Sequence, residues 1–292
     1  MAVSLDLLVD ALVAGILLGG FYAAVTVGVT ISFGMLDIAN IAQPAFILLG
    51  SYAAYIVTSY VRIDPILVGF IMTPVFYVIG MVTYRLYYYA FESRGEQGIQ
   101  GLAFFFGLLF VAEVSLVLVF GVDYRFVEAP YIGPSIHLWV FDLPLRMLIP
   151  CVVSLVMVGL LQLYLTRSFI GRAILAVSQD PLALQLMAAS PTRIKQIAFG
   201  ISIATCALAG TFLIVIQPVE PSIGRDYIGR IFAICVLGGM TSIPGMVAAS
   251  MLIGIVESIT ATFTGPSWAP AVAFGFLLAT LAVRPSGLLG RQ

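Results

Sequence analysis

Apolar stretches long enough to cross a membrane follow one another along nearly the whole chain. A helix needs about 20 apolar residues to cross a hydrocarbon core roughly 30 Å thick. Stretches of about this length cover residues 8–34, 44–61, 65–89, 102–121, 145–165, 197–217, 228–240, 243–262 and 267–283. The stretch 228–240 is the shortest, and its thirteen residues reach only about 20 Å as a helix. It therefore fits a half-helix, and we expect eight or nine spans.

The low content of charged residues excludes a soluble protein. Charged residues make up 9% of the chain and hydrophobic residues 61%, whereas soluble domains carry about 25% charged residues. A helix satisfies its own backbone hydrogen bonds inside lipid. The sequence therefore predicts an all-α, polytopic transmembrane helical bundle, with residues 1–292 forming a single transmembrane domain.

Basic residues in the connecting segments indicate the orientation, because they are more frequent in cytoplasmic loops. With the amino terminus outside, the inner segments hold Arg85, Arg94, Arg167, Arg172, Arg193, Lys195, Arg284 and Arg291. The outer segments then hold Arg62, Arg125, Arg146, Arg225 and Arg230. Eight basic residues inside against five outside favour an N-out, C-in arrangement.

Two short segments interrupt the apolar pattern without carrying the usual charge of a loop. We call residues 34–44 the first break and residues 238–245 the second break. Similar breaks in the two halves of a transporter are typical of a midplane binding site, where irregular backbone must face protein or water. The alternative is a pair of tight cytoplasmic turns between antiparallel helices, and the sequence leaves both interpretations open.

Three acidic residues lie near the predicted bilayer interior: Asp37, Glu113 and Glu257. A charge at the centre of a span costs on the order of 2.5–3.5 kcal/mol on insertion scales, so such residues are functional candidates. The alternative is a structural carboxylate held by hydroxyl or backbone N–H groups, and this is the favoured interpretation for Glu257, next to Ser258 and Thr260.

Catalytic and nucleotide-binding motifs are absent from the sequence. The single histidine, His137, cannot by itself supply a metal site or a Ser-His-Asp arrangement. The single lysine, Lys195, is followed by Gln196, which excludes a phosphate-binding Gly-x-x-x-x-Gly-Lys-Ser/Thr loop. We therefore expect no catalytic residue, metal or cofactor, and any ATP must be bound with its Mg and hydrolysed by another chain. The scattered arginines form no basic stripe, so no nucleic-acid partner is expected.

Residues 166–196 form a polar segment on the predicted inner side. Asp180 can cap a helix whose first residue is Pro181, and the helix would end before Ser190-Pro191. The sequence thus predicts a short helix at about 181–189. A helix of this length is marginal in water by itself, so we expect it to dock against another protein.

Several motifs together resemble the LivH type of permease subunits from branched-chain amino acid ABC importers, a group that also includes urea and amide permeases. They are 236–245 (Val-Leu-Gly-Gly-Met-Thr-Ser-Ile-Pro-Gly), 252–258 (Leu-Ile-Gly-Ile-Val-Glu-Ser), 284–291 (Arg-Pro-Ser-Gly-Leu-Leu-Gly-Arg), 221–224 (Pro-Ser-Ile-Gly) and the stretch from Gly171 to Met187. The first break departs from the family pattern, because Gln43-Pro44 stands where a His-Gly pair is usual. Ala188 likewise replaces a usual glycine.

The resemblance implies a permease domain in a bacterial inner membrane that moves a small metabolite, a branched-chain amino acid or a related solute. It implies as partners a LivM-like second permease, two ATPase subunits, a periplasmic solute-binding protein and membrane lipid. Whether the two permeases form a homodimer or a heterodimer stays open, as does the solute. A stand-alone ion-coupled carrier or channel, with the acidic residues as coupling groups, is the alternative.

Two sets of residues are the predicted sites. The translocation pathway is predicted to include Asn40, Gln43, Thr241, Ser242, Asp37 and Glu257. The cytoplasmic coupling segment, 166–196, is predicted to contact the ATPase through Arg172, Asp180, Pro181, Leu184, Met187 and Ala188.

Overall fold

A computed structural model describes residues 5–95, 98–138, 141–179, 184–185, 190–283 and 287–288. Ten long helices dominate it: α1 Leu5–Val29, α2 Gln43–Val61, α3 Pro65–Ala90, α4 Ile99–Phe120, α5 Leu145–Arg167, α6 Phe169–Gln179, α7 Pro191–Ile216, α8 Gly224–Gly238, α9 Ile243–Phe263 and α10 Ala269–Val283. Shorter elements are a π-helix, Thr30–Met35, and 3-10 turns at Glu92–Arg94 and Pro266–Trp268. Strands β1 (Ser135–Leu138) and β2 (Phe141–Pro144) form one antiparallel hairpin.

Local sequence signals explain where several helices begin. The Asp64 carboxylate accepts a hydrogen bond from the Ile66 N–H at 2.9 Å at the start of α3, and Pro65 occupies the first helical position. Ser242 caps α9 in the same way by accepting from the Gly245 N–H at 3.1 Å. Each cap satisfies an N–H group that has no partner within the helix.

Seven of the described helices are long and apolar enough to cross a membrane. The helices α8 and α10, of 15 residues each, occupy the two remaining predicted positions. The prediction of an all-α, polytopic bundle is confirmed, and the short seventh stretch is a short helix as expected. In the predicted orientation, the Leu5 end of α1 lies at the outer end of the bundle and Met35 at the inner end.

Helix α7 is the centre of the bundle, and nearly every residue from Ala198 to Val215 is buried. Helix α1 packs closely along α9, because a Cβ added at Gly254 would overlap the backbone of Gly15 and Gly19. Small residues allow this approach, and packing rather than hydrophobicity drives helix association in lipid.

The outer ring of the bundle consists largely of α3, α4 and α5. Their exposed large apolar side chains include Leu67, Phe70, Val75, Val78, Val82, Leu86, Val111, Val114, Leu118, Val152, Val156, Leu160 and Leu163. Such a surface suits contact with lipid tails, which is consistent with a multi-pass membrane protein.

The coupling segment contains a helix that the sequence interpretation did not place. Helix α6 precedes the predicted helix at 181–189. Of the latter, the structure describes only Leu184, which is buried, and Gln185, which is exposed; both are helical. The predicted coupling residues Asp180, Pro181, Met187 and Ala188 lie outside the described residues.

Candidate functional site

The two breaks lie in direct contact. After the π-helix, the chain turns at Asp37, which is exposed and has a φ of 57°, and it enters α2 at Gln43. The second break separates α8 from α9. A Cβ added at Gly34 would overlap the carbonyl oxygen of Met240, so only glycine lets the two irregular segments approach this closely.

The first break returns into the middle of the bundle. Gln43 contacts Ser202 and Cys206, which lie 11 and 15 residues after Pro191, the first residue of the 26-residue helix α7. The non-helical residues Ile38 and Asn40 are buried on the way. The first break is therefore a re-entrant passage covered by protein, as irregular backbone in a membrane must be. The second break leaves Met240 and Thr241 exposed and is a turn beside Gly34.

Asn40 and Gln43 form a buried hydrogen-bond network that joins three helices. The Asn40 amide nitrogen donates to Gln43 Oε1 at 3.0 Å, and Gln43 Nε2 donates to Cys206 Sγ at 2.9 Å. Ser202 Oγ donates to the Gly28 carbonyl at 2.7 Å. These side chains are fully buried. Their hydrogen bonds link α2 to α1 and α7.

Thr241 and Ser242 line a cavity of about 210 Å³ at the inner end. The π-helix, α5 and α6 form other walls of this cavity. Its remaining lining residues are Met35, Gln162, Leu165, Thr166, Leu175, Ile243 and Pro244. Several elements that are far apart in sequence therefore meet around the second break.

Helix α6 connects the predicted coupling segment to this cavity. It packs on α5, α7 and the π-helix through the buried residues Gly171, Ile174 and Val177, whose i, i+3 spacing forms one apolar face. Arg172 lies on the exposed side, and Leu175 reaches the cavity. A displacement of α6 would therefore act on both breaks at once. We call α6, the π-helix and the second break the inner junction.

Glu257 lies elsewhere, in the outer half of the bundle, where its carboxylate is paired. The neighbouring Ser258 hydroxyl donates to the Ala11 carbonyl near the outer end of α1. The Glu257 carboxylate accepts from the Tyr22 hydroxyl and from Arg230 Nε at 3.0 Å, and its side chain is only 3% exposed. The interpretation as a structural carboxylate expected a hydroxyl or backbone N–H from a neighbouring helix; the hydroxyl comes from Tyr22 rather than from a serine or threonine, and Arg230 supplies the counter-charge.

Glu113 has a similar arginine partner. Arg225 Nε donates to one carboxylate oxygen at 2.9 Å, and a terminal nitrogen of Arg225 lies 2.8 Å from the other. The guanidinium also lies over the Phe110 ring, 5.1 Å from its centroid. Two parallel contacts of this kind are the strong form of an arginine–carboxylate pair.

Both arginine partners come from α8, whereas the sequence interpretation counted Arg225 and Arg230 with the outer segments, although its seventh stretch, 228–240, already contained Arg230. The assignment is corrected: the helix begins at Gly224, four residues before the predicted stretch, so both arginines belong to it. A sequence signal existed: charged residues inside a membrane often pair with one another, and α8 carries two arginines.

The six predicted pathway residues thus fall in three places. Asn40 and Gln43 lie in the middle of the bundle, Asp37 and the Thr241-Ser242 pair belong to the breaks at the inner end, and Glu257 is in the outer half. Among the described residues, no group of three or more His, Cys, Asp or Glu side chains could hold a metal ion.

The family model and the similar proteins agree on one family. The family described as "Branched-chain amino acid transport system / permease component" matches residues 11–281. The chain is 28% identical to the high-affinity branched-chain amino acid transport system permease protein BraD of Pseudomonas aeruginosa, covering 96% of this chain and 95% of BraD. It is 26% identical to the permease protein LivH of Escherichia coli K12, over 95% of this chain and 94% of LivH.

A partial similarity extends to a second type of permease. A stretch of 127 residues is 34% identical to the permease protein LivM of Salmonella typhimurium and covers 43% of this chain and 29% of LivM. No solved structure shows significant similarity to the chain.

Proposed function

Since this chain belongs to the family of branched-chain amino acid transport system permease components, we propose that it is the membrane-spanning permease subunit of an ATP-driven importer. The solute is a branched-chain amino acid or a related small metabolite. The membrane is the inner membrane of a bacterium, and a periplasmic solute-binding protein delivers the solute at the outer side.

The proposed complex contains a LivM-like permease and two ATPase subunits in addition to this chain. The partial similarity to LivM supports a pair of related permeases that share the pathway. This chain has no nucleotide-binding loop, so ATP and Mg bind to the ATPase subunits. The subunit itself is not an enzyme, and its part is to convert movement at the inner surface into opening of a path.

The inner junction is the observation that carries the proposal. Helix α6 is part of the predicted coupling segment, and it touches the π-helix of the first break and the cavity of the second. An ATPase that pushes this segment would therefore move the two irregular segments together. Tightly packed elements transmit such displacements because they are bistable rather than continuously deformable.

The direct test is reconstitution of the chain with its permease partner, ATPase and binding protein in proteoliposomes. We expect uptake of a radiolabelled branched-chain amino acid that requires ATP and the binding protein. Uptake of the same size by the chain alone, without any ATPase, would contradict the proposal.

A substitution of Leu184 tests the coupling segment. Leu184 is 8% exposed, whereas the next residue, Gln185, is exposed. Leu184→Ser should weaken the packing of the segment around residue 184, since burying a leucine stabilises by about 1.5–3 kcal/mol. We expect uptake to fall at least about tenfold, as 1.4 kcal/mol corresponds to a factor of ten, while the assembled ATPase still hydrolyses ATP.

The matched control is Gln185→Ser, which changes a neighbouring exposed side chain. We expect its uptake per ATP hydrolysed to equal that of the unsubstituted protein. If Leu184→Ser retains the same ratio of uptake to hydrolysis as Gln185→Ser, the segment does not couple the two processes.

The pairing of the interior carboxylates weighs against a stand-alone ion-coupled carrier. A coupling carboxylate has to bind and release a cation during each cycle. Glu113 and Glu257 each hold an arginine of α8 at hydrogen-bond distance, so these arginines already provide their counter-charge.

A further inference from the structure

A basic pocket lies at the inner end of the seam between α3 and α7. It has a volume of about 320 Å³ and is lined by Arg85, Arg193, Tyr88 and Thr192, among others. Arg85 lies five residues before the end of α3, and Arg193 is the third residue of α7. At about 1.5 Å per residue, both guanidinium groups belong to the last turns of the bundle, where the membrane interface lies.

The pocket carries uncompensated positive charge. In the described part of the chain, Arg85 and Arg193 have no carboxylate partner, and both side chains are exposed. The nearby Glu92 is neutralised by Lys195 at 2.6 Å, and it also accepts from the Tyr84 hydroxyl at 2.8 Å. An anion at this place would therefore meet two arginines without a carboxylate partner among the described residues, one of which, Arg85, lies over the Tyr89 ring at 5.7 Å from its centroid.

An apolar groove lies above the pocket on the same seam. It has a volume of about 510 Å³, and its walls come from α3, α5 and α7, including Tyr77, Leu160, Tyr164 and Leu208. Tyr77 in the groove and Tyr84 in the pocket are seven residues apart on α3, which corresponds to two helical turns and about 10 Å. Along α3, the groove therefore begins about two turns deeper in the bundle than the pocket.

We propose that this seam is a binding site for an anionic phospholipid of the inner leaflet. Arg85 and Arg193 hold the headgroup phosphate, and one acyl chain lies in the groove. Arginine presents a planar fork of donors that fits phosphate, and basic pockets between helices on the cytoplasmic side bind anionic headgroups. Tyrosines such as Tyr88 and Tyr164 suit the level between headgroup and tails.

A phospholipid fits these observations better than an acidic protein surface. The exposed residues Val82 and Leu86, 52% and 60% exposed, lie beside Arg85 on the outward face of α3, where lipid tails are expected. An acidic protein segment would pair with the arginines but would leave the apolar groove unfilled. An amphiphile with a negative headgroup and an apolar chain fills both the basic pocket and the apolar groove.

The test measures lipid binding to the full-length chain in the assembly in which it purifies. The probe is dioleoyl phosphatidylglycerol, titrated into phosphatidylcholine nanodiscs and quantified by native mass spectrometry. Each basic residue near an anionic membrane contributes about a factor of five in affinity. We therefore expect Arg85→Gln and Arg193→Gln to weaken binding about fivefold each, and the double variant about 25-fold.

Arg146→Gln, an exposed arginine at the start of α5, is the matched control and should leave binding unchanged. Dihexanoyl phosphatidylglycerol, whose chains are too short to fill the groove, should bind more weakly than the dioleoyl lipid. Equal binding by the double variant and the control overturns the proposal.

Two further outcomes would assign the pocket to another ligand. If inorganic phosphate at the lipid concentration displaces the lipid, the site is a phosphate site. If the double variant loses its ATPase but keeps its lipid, the arginines dock a protein. Either result overturns the lipid assignment.

Discussion

Replacing Gly34 with alanine is expected to reduce ATP-driven uptake about ten- to hundredfold in the proposed importer. The added Cβ would overlap the Met240 carbonyl oxygen, and a backbone atom cannot rotate away as a side chain can. Overpacking of this kind costs about 1–3 kcal/mol, and each 1.4 kcal/mol is a factor of ten. The measurement is the initial rate of uptake in proteoliposomes at equal protein content.

The control for this prediction is Gly107→Ala in the middle of α4. A Cβ added there meets no atom within 4 Å, and alanine favours a helix over glycine. We expect normal uptake from this variant. Equal uptake by the Gly34 and Gly107 variants would mean that close contact between the two breaks is not needed for transport.

Replacing Arg230 with alanine is expected to destabilise the folded protein by about 3–5 kcal/mol, the usual effect of removing one partner of a buried ion pair. The Glu257 carboxylate, at 3% side-chain exposure, would keep only the Tyr22 hydroxyl as a partner. The measurement is the free energy of unfolding in detergent, from denaturant titration.

Two variants separate lost charge pairing from lost packing. In Arg230→Met combined with Glu257→Leu, apolar side chains replace both members, and such replacements are often neutral or stabilising; we expect stability close to that of the unsubstituted protein. Arg225→Ala should cost less than Arg230→Ala, because the Arg225 side chain is 52% exposed and water can solvate part of the pair. A double variant as unstable as Arg230→Ala would show that packing, not an unpaired carboxylate, causes the loss.

The fold was largely predictable because membrane insertion is decided locally. Each span depends on its own length and apolar content, so the sequence showed eight or nine spans, their order and the short one at 228–240. The positions of the two breaks were also visible, since a gap in hydropathy with glycine and proline is a local feature. The missing nucleotide-binding loop is likewise a property of the sequence alone.

Arg225 and Arg230 mark the limit of this reasoning. Read locally, Arg225 precedes the apolar stretch 228–240 and Arg230 lies near its start, and neither position shows a partner. In the structure each is paired with a glutamate from another helix, 112 residues away for Arg225 and 27 for Arg230. No local pattern contains that information.

The linear sequence therefore determined which segments are long and apolar enough to cross a membrane, and that it contains no Gly-x-x-x-x-Gly-Lys-Ser/Thr loop. Only the tertiary structure decided that Gly34 meets Met240, that Asn40 and Gln43 are buried between three helices, and that α6 reaches both breaks. The physical reason is how far along the chain each property depends on other residues. Transfer of a segment into lipid depends on its own composition, whereas the partner of each buried polar group depends on how distant helices pack.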